Sequence, residues 1–163
     1  LGHIILITYS ILKINCKINN NNKEIKMVFI GHTEDKLALH ELVMTYGDAV
    51  SRNNAKDWGN TWAENAIWSV PNFPGLEKVE GREQIVKKWE EAMSNYQYIV
   101  FVALLGSLEI LGNEAKGTTY TIEVGTDKND LKSQTHGQYK DEFIKVGDQW
   151  YFQKRVFTIL HTS

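Results

Sequence analysis

The first long apolar pattern in the chain has helical spacing. Leu39, Leu42, Val43, Tyr46, Ala49 and Val50 recur at intervals of three and four, the buried stripe of an amphipathic helix. Thr33 fits its N-cap, with Glu34 and Asp35 in the favourable first turn. A short second helix is expected over Ala55 to Trp62, then a strand over Asn65 to Pro71. Pro71-Asn-Phe-Pro74-Gly75 holds both prolines and reads as a loop. From Gly81, the stripe Ile85, Trp89 and Met93 predicts a third helix.

The period then changes. Tyr98 to Leu105 is a nearly continuous apolar run, expected to be a fully buried strand. Leu108 to Leu111 and Lys116 to Gly125 follow as strands around a tight Gly112-Asn113 turn. In the second of these Tyr120, Ile122 and Val124 alternate with Thr119, Thr121 and Glu123, so Glu123 is expected opposite the apolar face. Two last strands flank Gly147-Asp148. An even turn pairs Tyr139 with Val156, Asp141 with Lys154 and Phe143 with Phe152. Tyr139, Asp141, Phe143, Trp150, Phe152, Lys154 and Val156 then share one mostly apolar side, with Arg155 on the polar side. Helices first and strands after predict an α+β fold with a curled antiparallel sheet.

Composition narrows the function classes. The 163 residues fit one domain, with 42% hydrophobic and 23% charged content. A net charge of -2 supplies no basic field, so nucleic acid is not an expected partner. No apolar run is long enough for a transmembrane span, and a cytoplasmic location is expected. Residues 1–26 are apolar and then Lys/Asn-rich, unlike the rest. They read as upstream or added sequence or a disordered tail, with 27–163 as the single domain. Cys16, the one cysteine, lies in that tail. His40-Glu41 lacks a second histidine four positions on, and no other metal-site spacing is present. Neither a Gly-x-Ser-x-Gly elbow nor a phosphate-binding glycine loop occurs, and no cofactor is expected.

Several segments in this order resemble the SnoaL-like branch of the nuclear transport factor 2-like superfamily. They are Tyr46-Gly-Asp-Ala-Val50, Ala55-Lys-Asp-Trp58, Trp62-Ala-Glu-Asn-Ala-Ile-Trp68, Gly81-Arg-Glu-Gln-Ile85 and the hairpin from Gly137 to Arg155. The resemblance implies a cone-shaped α+β barrel, with three N-terminal helices on a strongly curved, mostly antiparallel sheet. It also implies a pocket for a small, largely apolar molecule and a homodimer through the outer sheet face. The implied activity is a cofactor-independent isomerase, dehydratase or cyclase, or ligand binding without chemistry.

The resemblance to ketosteroid isomerase places Tyr46 at that family's oxyanion tyrosine and Tyr139 near its oxyanion acid. The base that precedes a proline there is Val70 here. The scytalone dehydratase pattern places its helix-1 aspartate at Asn54 or Ser51. Its two histidines fall near Val102 or Ala103 and near Val124 or Gly125, so neither is present. The candidate catalytic residues are therefore Tyr46, Tyr139, Asp141 and His136. Asp141 is preferred over Glu123 as the acid, either paired to Lys154 with a lowered pKa or raised by apolar surroundings. Trp62, Trp68, Trp89 and Phe143 are the candidate substrate-binding residues, each equally at home in a core.

Overall fold

The computed structural model describes residues 28–163. The expected tail over 1–26 and the first residue of the expected domain, Met27, lie outside the described residues. Helix α1 (Thr33–Ser51) buries Leu39, Leu42, Val43, Tyr46, Ala49 and Val50, the stripe its spacing predicts. Its N-cap is His32, not Thr33, and no side chain caps it. Asp35 in the first turn instead accepts from Trp150 Nε1 and Lys145 Nζ, each at 2.8 Å, which ties the helix start to the closing hairpin.

Helix α2 (Ala55–Gly59) is shorter than expected, because Gly59 and Asn60 are poor helix formers. Asn54 caps it by accepting from Asp57 N at 3.0 Å. Trp62 consequently belongs to strand β2 (Trp62–Ser69), not to the helix. The two-residue β3 (Val79–Glu80) leads into α3 (Arg82–Met93), which buries Ile85, Trp89 and Met93. Gly81 between them has φ +84°, a conformation that needs glycine.

The sheet has seven strands among the described residues, in the order β1-β4-β5-β6-β7-β2-β3. Strands β4 (Tyr96–Leu111), β5 (Glu114–Asp127), β6 (Lys132–Val146) and β7 (Gln149–Thr162) form an antiparallel meander. The short β1 (Phe29–Ile30) adds parallel to β4, and β2 adds parallel to β7. The sheet does not close, and its curved inner face wraps the three helices as the expected α+β cone.

Curvature comes from extra residues on one strand of a pair. The pairing steps over Gln97 and Gly106 in β4 and over Gln153 and Leu160 in β7. Gly106 also makes room for Tyr120, since an added Cβ would lie 2.6 Å from its ring. The run from Tyr98 to Leu105 is thus part of one bulged strand, and it is not fully buried. Ile99, Phe101 and Leu105 point inward, whereas Tyr98, Val102 and Leu104 are exposed. Continuous apolarity here marks two apolar faces, only one of which the monomer covers.

Candidate functional site

The bulge at Gln153 decides which charges enter the cone. Phe143 pairs with Phe152 as expected, but after Gln153 the register advances by one. Asp141 then faces Arg155, and Tyr139 faces Phe157. Lys154 turns outward to meet Glu142 at 3.3 Å, and Arg155 turns inward. The expected pairs Asp141–Lys154 and Tyr139–Val156 are therefore displaced. A one-residue shift exchanges the two faces of a strand. Phe157, two residues on from Arg155, is buried on the same side.

Arg155 is completely buried, with Nε 2.8 Å from Asp141 Oδ1 and Nη2 3.2 Å from Oδ2. Thr119 Oγ1 donates to the same carboxylate at 2.6 Å. The guanidinium carbon lies 4.3 Å from the ring centre of Tyr46 and 4.0 Å from those of Tyr139 and Phe152. Burial opposes the charge of Arg155, but Asp141 and the neighbouring phenols outweigh it and hold the guanidinium protonated. Burial pushes the Asp141 carboxyl up against the pull of Arg155 and Thr119. The bidentate bonds are those of an ion pair. Asp141, expected as a catalytic acid, is thus fully occupied beneath the tyrosines.

A cavity of about 160 Å³ opens beside this pair. Tyr46 from α1 and Tyr139 from β6 line it, with Trp68, Val70, Trp89, Phe101 and Phe157 as walls. Burial raises the Tyr139 pKa well above 10, and burial also raises that of Tyr46 although Arg155 and Tyr139 pull it back. Both are neutral hydrogen-bond donors near pH 7. Trp68 Nε1 donates to the Tyr139 oxygen at 3.4 Å, and the Tyr139 hydroxyl also lies within reach of Tyr46. Val70 occupies the wall where the resemblance to ketosteroid isomerase places a base.

One carboxylate does line the cavity, and it is Glu123. Thr119, Thr121 and Glu123 form the inner face of β5, while Tyr120, Ile122 and Val124 are exposed outside. The expectation for Glu123 is therefore reversed. Its carboxyl pKa rises from 4.5 to about 7, because burial outweighs the bond from Thr121 and the charge of Arg155. Near neutrality such a group both takes and returns protons.

The other expected site residues divide. Tyr46, Tyr139, Trp68 and Trp89 meet around the cavity. Trp62 and Phe143 are buried in the core away from it, packed against Phe152 with ring centres at 5.7 and 5.1 Å. His136 pairs across from exposed Ile122 on the outer face, with its ring 5.7 Å from that of His161. Its neighbour Thr135 is the residue that reaches the cavity. Ser51 Oγ accepts from Phe101 N at 2.9 Å, and Asn54 is spent as the cap of α2, so neither replaces the aspartate of the scytalone dehydratase pattern.

Arg155 and Glu123 are the two charged residues that sequence reasoning placed outside and the structure brings inside the cone. The signal for Glu123 was present: its flanking threonines fit a polar patch inside a cone as well as they fit solvent. No three His, Cys, Asp or Glu side chains converge as a metal site among the described residues. No described helix is long and apolar enough to cross a membrane.

Known structures share this architecture. A scytalone dehydratase candidate from Novosphingobium aromaticivorans superposes with TM-score 0.71 at 19% identity, covering 79% of this chain and 86% of that one. A hexachlorocyclohexane dehydrochlorinase from Novosphingobium barchaimii gives TM-score 0.67 at 16% identity, covering 79% and 88%. A Kribbella flavida protein gives 0.72 at 11% identity, covering 79% and 93%. At these identities the superpositions establish a common fold alone. No curated protein matches the chain in sequence. The SnoaL-like domain family matches residues 31–156, most of the chain and every cavity-lining residue except Phe157, and the chain therefore belongs to the SnoaL-like family.

Proposed function

We propose that this chain is a cofactor-independent enzyme that moves a proton on a small, largely apolar molecule, as an isomerase or dehydratase does. The observation that carries the reading is Glu123 in the same cavity as two neutral phenols, Tyr46 and Tyr139. Glu123 would take a proton from carbon, and the electron pair left behind would move onto an oxygen held by the tyrosine hydroxyls. Returning the proton to another carbon completes an isomerisation, and loss of a leaving group from the neighbouring carbon completes an elimination. Arg155, stacked against both tyrosine rings, favours negative charge at their oxygens. Two structural neighbours carry names of elimination enzymes, a dehydratase and a dehydrochlorinase.

Deuterium exchange tests the chemistry. Small cyclic ketones incubated with the protein in heavy water should gain deuterium beside the carbonyl. Glu123→Gln should abolish the exchange, and Tyr139→Phe should slow it by on the order of a hundredfold. Exchange unchanged in Glu123→Gln would remove the assignment of the base.

The apolar Val70 at the expected base position favours a second reading, in which the cavity holds a ligand without chemistry. Binding with thermal stabilisation and no exchange in the wild type is its signature.

A further inference from the structure

We propose that the cavity takes an uncharged molecule of one six-membered ring bearing a single hydrogen-bond-accepting oxygen, and that Phe73 closes its outer end. The inference rests on the reading of this cavity as the functional site. Its size sets the first limit. At about 160 Å³ the space matches the roughly 150 Å³ apolar cavity that holds benzene. A fused second ring would have to extend past Phe73 toward solvent.

Charge sets the second limit. Among the described residues Glu123 is the only charged side chain lining the space. Around it stand Arg155 from β7, Tyr46 from α1, Tyr139 from β6 and Tyr96 from β4, with Thr121 on its own strand. Arg155 bonds Asp141 through Nε and Nη2 and does not line the space, so an anionic ligand would be buried beside Glu123 without a cation at the cavity wall. A ligand cation could pair with Glu123 once that group ionises, but it would stand beside the buried charge of Arg155, which already stacks on both tyrosine rings. A neutral ligand meets neither conflict. Trp68 Nε1 already donates to the Tyr139 oxygen and both tyrosines carry their protons, so the matching ligand atom is an acceptor.

Phe73 sets the third. It lines the cavity yet is 46% exposed, which puts its ring between the cavity and solvent. The loop that carries it is pinned by Val70 N to Leu76 O at 2.7 Å and Leu76 N to Phe73 O at 3.0 Å. Removing this exposed ring lengthens the cavity without opening the core.

Calorimetric binding of cyclohexanone, decalone, cyclohexanecarboxylate and cyclohexylammonium to the full chain tests the proposal, at about pH 6 and about pH 8 to span the Glu123 titration. Cyclohexanone should bind at both, decalone at least about tenfold more weakly, and the two ions not detectably. Phe73→Ala should bring decalone to the affinity of cyclohexanone. Decalone or either ion binding as tightly as cyclohexanone to the wild type would overturn the ligand class, as would no binding of cyclohexanone. An unchanged decalone affinity in Phe73→Ala would overturn the role of Phe73. The Trp68 indole N–H resonance separates the two levels. Cyclohexanone bound without shifting it occupies some other place, and the cavity itself is then misread.

Discussion

Asp141 and Arg155 meet across β6 and β7 because Gln153 is an extra residue in β7. Without that bulge Lys154 would face Asp141, and a flexible ammonium would stand where a planar guanidinium now stacks on three rings. The bulge thus fixes the electrostatics beside the cavity, where β7 meets α1. The bidentate bond orients the guanidinium, and the guanidinium holds the faces of Tyr46 and Tyr139.

Breaking this pair should be costly, and replacing it should not. Asp141→Asn leaves Arg155 buried beside a neutral partner and is expected to lose about 3–5 kcal/mol. Asp141→Leu combined with Arg155→Met should recover most of that loss, because no charge is then left buried. Urea denaturation of the single and double variants measures both. A single variant as stable as the wild type would mean that the pair carries no charge in the fold.

Glu123 makes stability depend on pH in a defined direction. Its folded pKa of about 7 lies above its ordinary value of 4.5. Between the two the unfolded chain gives up its proton first, so stability falls as pH rises through that window and then levels off. The whole penalty is at most about 3 kcal/mol. Glu123→Gln removes it. The variant should gain on the wild type between about pH 4 and about pH 8, as read by denaturant midpoints. An equal difference at both ends would show that the carboxyl titrates normally.

The fold was legible in the sequence where one face of an element is apolar. The stripes of α1 and α3 and the Gly112-Asn113 and Gly147-Asp148 turns stand as read. Tyr46, Tyr139, Trp68 and Trp89 reach the cavity from four separate elements, which follows from the resemblance more than from periodicity. Misreading began where the usual alternation carries two meanings. Tyr120, Ile122 and Val124 outnumber their neighbours in apolar area and so passed for the core face, yet they are the exposed ones. A bulge leaves no mark in composition, since Gln153 looks like any strand residue. It alone moves Arg155 from the polar side to the centre of the site.

Gly137 should resist substitution for a reason internal to the cone. A Cβ there would collide with the Phe157 ring and come within 2.7 Å of Thr121 Oγ1. Gly137→Ala must therefore push Phe157 away from Tyr139, whose ring centre it meets at 4.7 Å. A loss of about 1–3 kcal/mol is expected. Phe157→Leu in the Gly137→Ala background should cost less than Phe157→Leu alone. Coupling of that sign in a double-mutant cycle identifies the collision, and strict additivity would argue against it.

The outer sheet face is proposed to pack on a second copy of the chain. Tyr98, Val102, Leu104, Tyr120, Ile122 and Val124 stand exposed on adjacent strands β4 and β5, a contiguous apolar surface of a kind that soluble monomers seldom show. Beside it Glu109, Lys116, Glu142 and Lys154 lie in register across β4, β5, β6 and β7, with charges that alternate in sign. A row of alternating charge can complement itself when a two-fold axis reverses it, so one patch meets its own copy. Ile122→Lys places a charge in the apolar part, on a side chain that is 41% exposed in the monomer. Such a change should leave the fold nearly as stable while lowering the mass seen by sedimentation from dimer to monomer. A wild-type chain that sediments as a monomer at every concentration would remove the second copy as the occupant of this face.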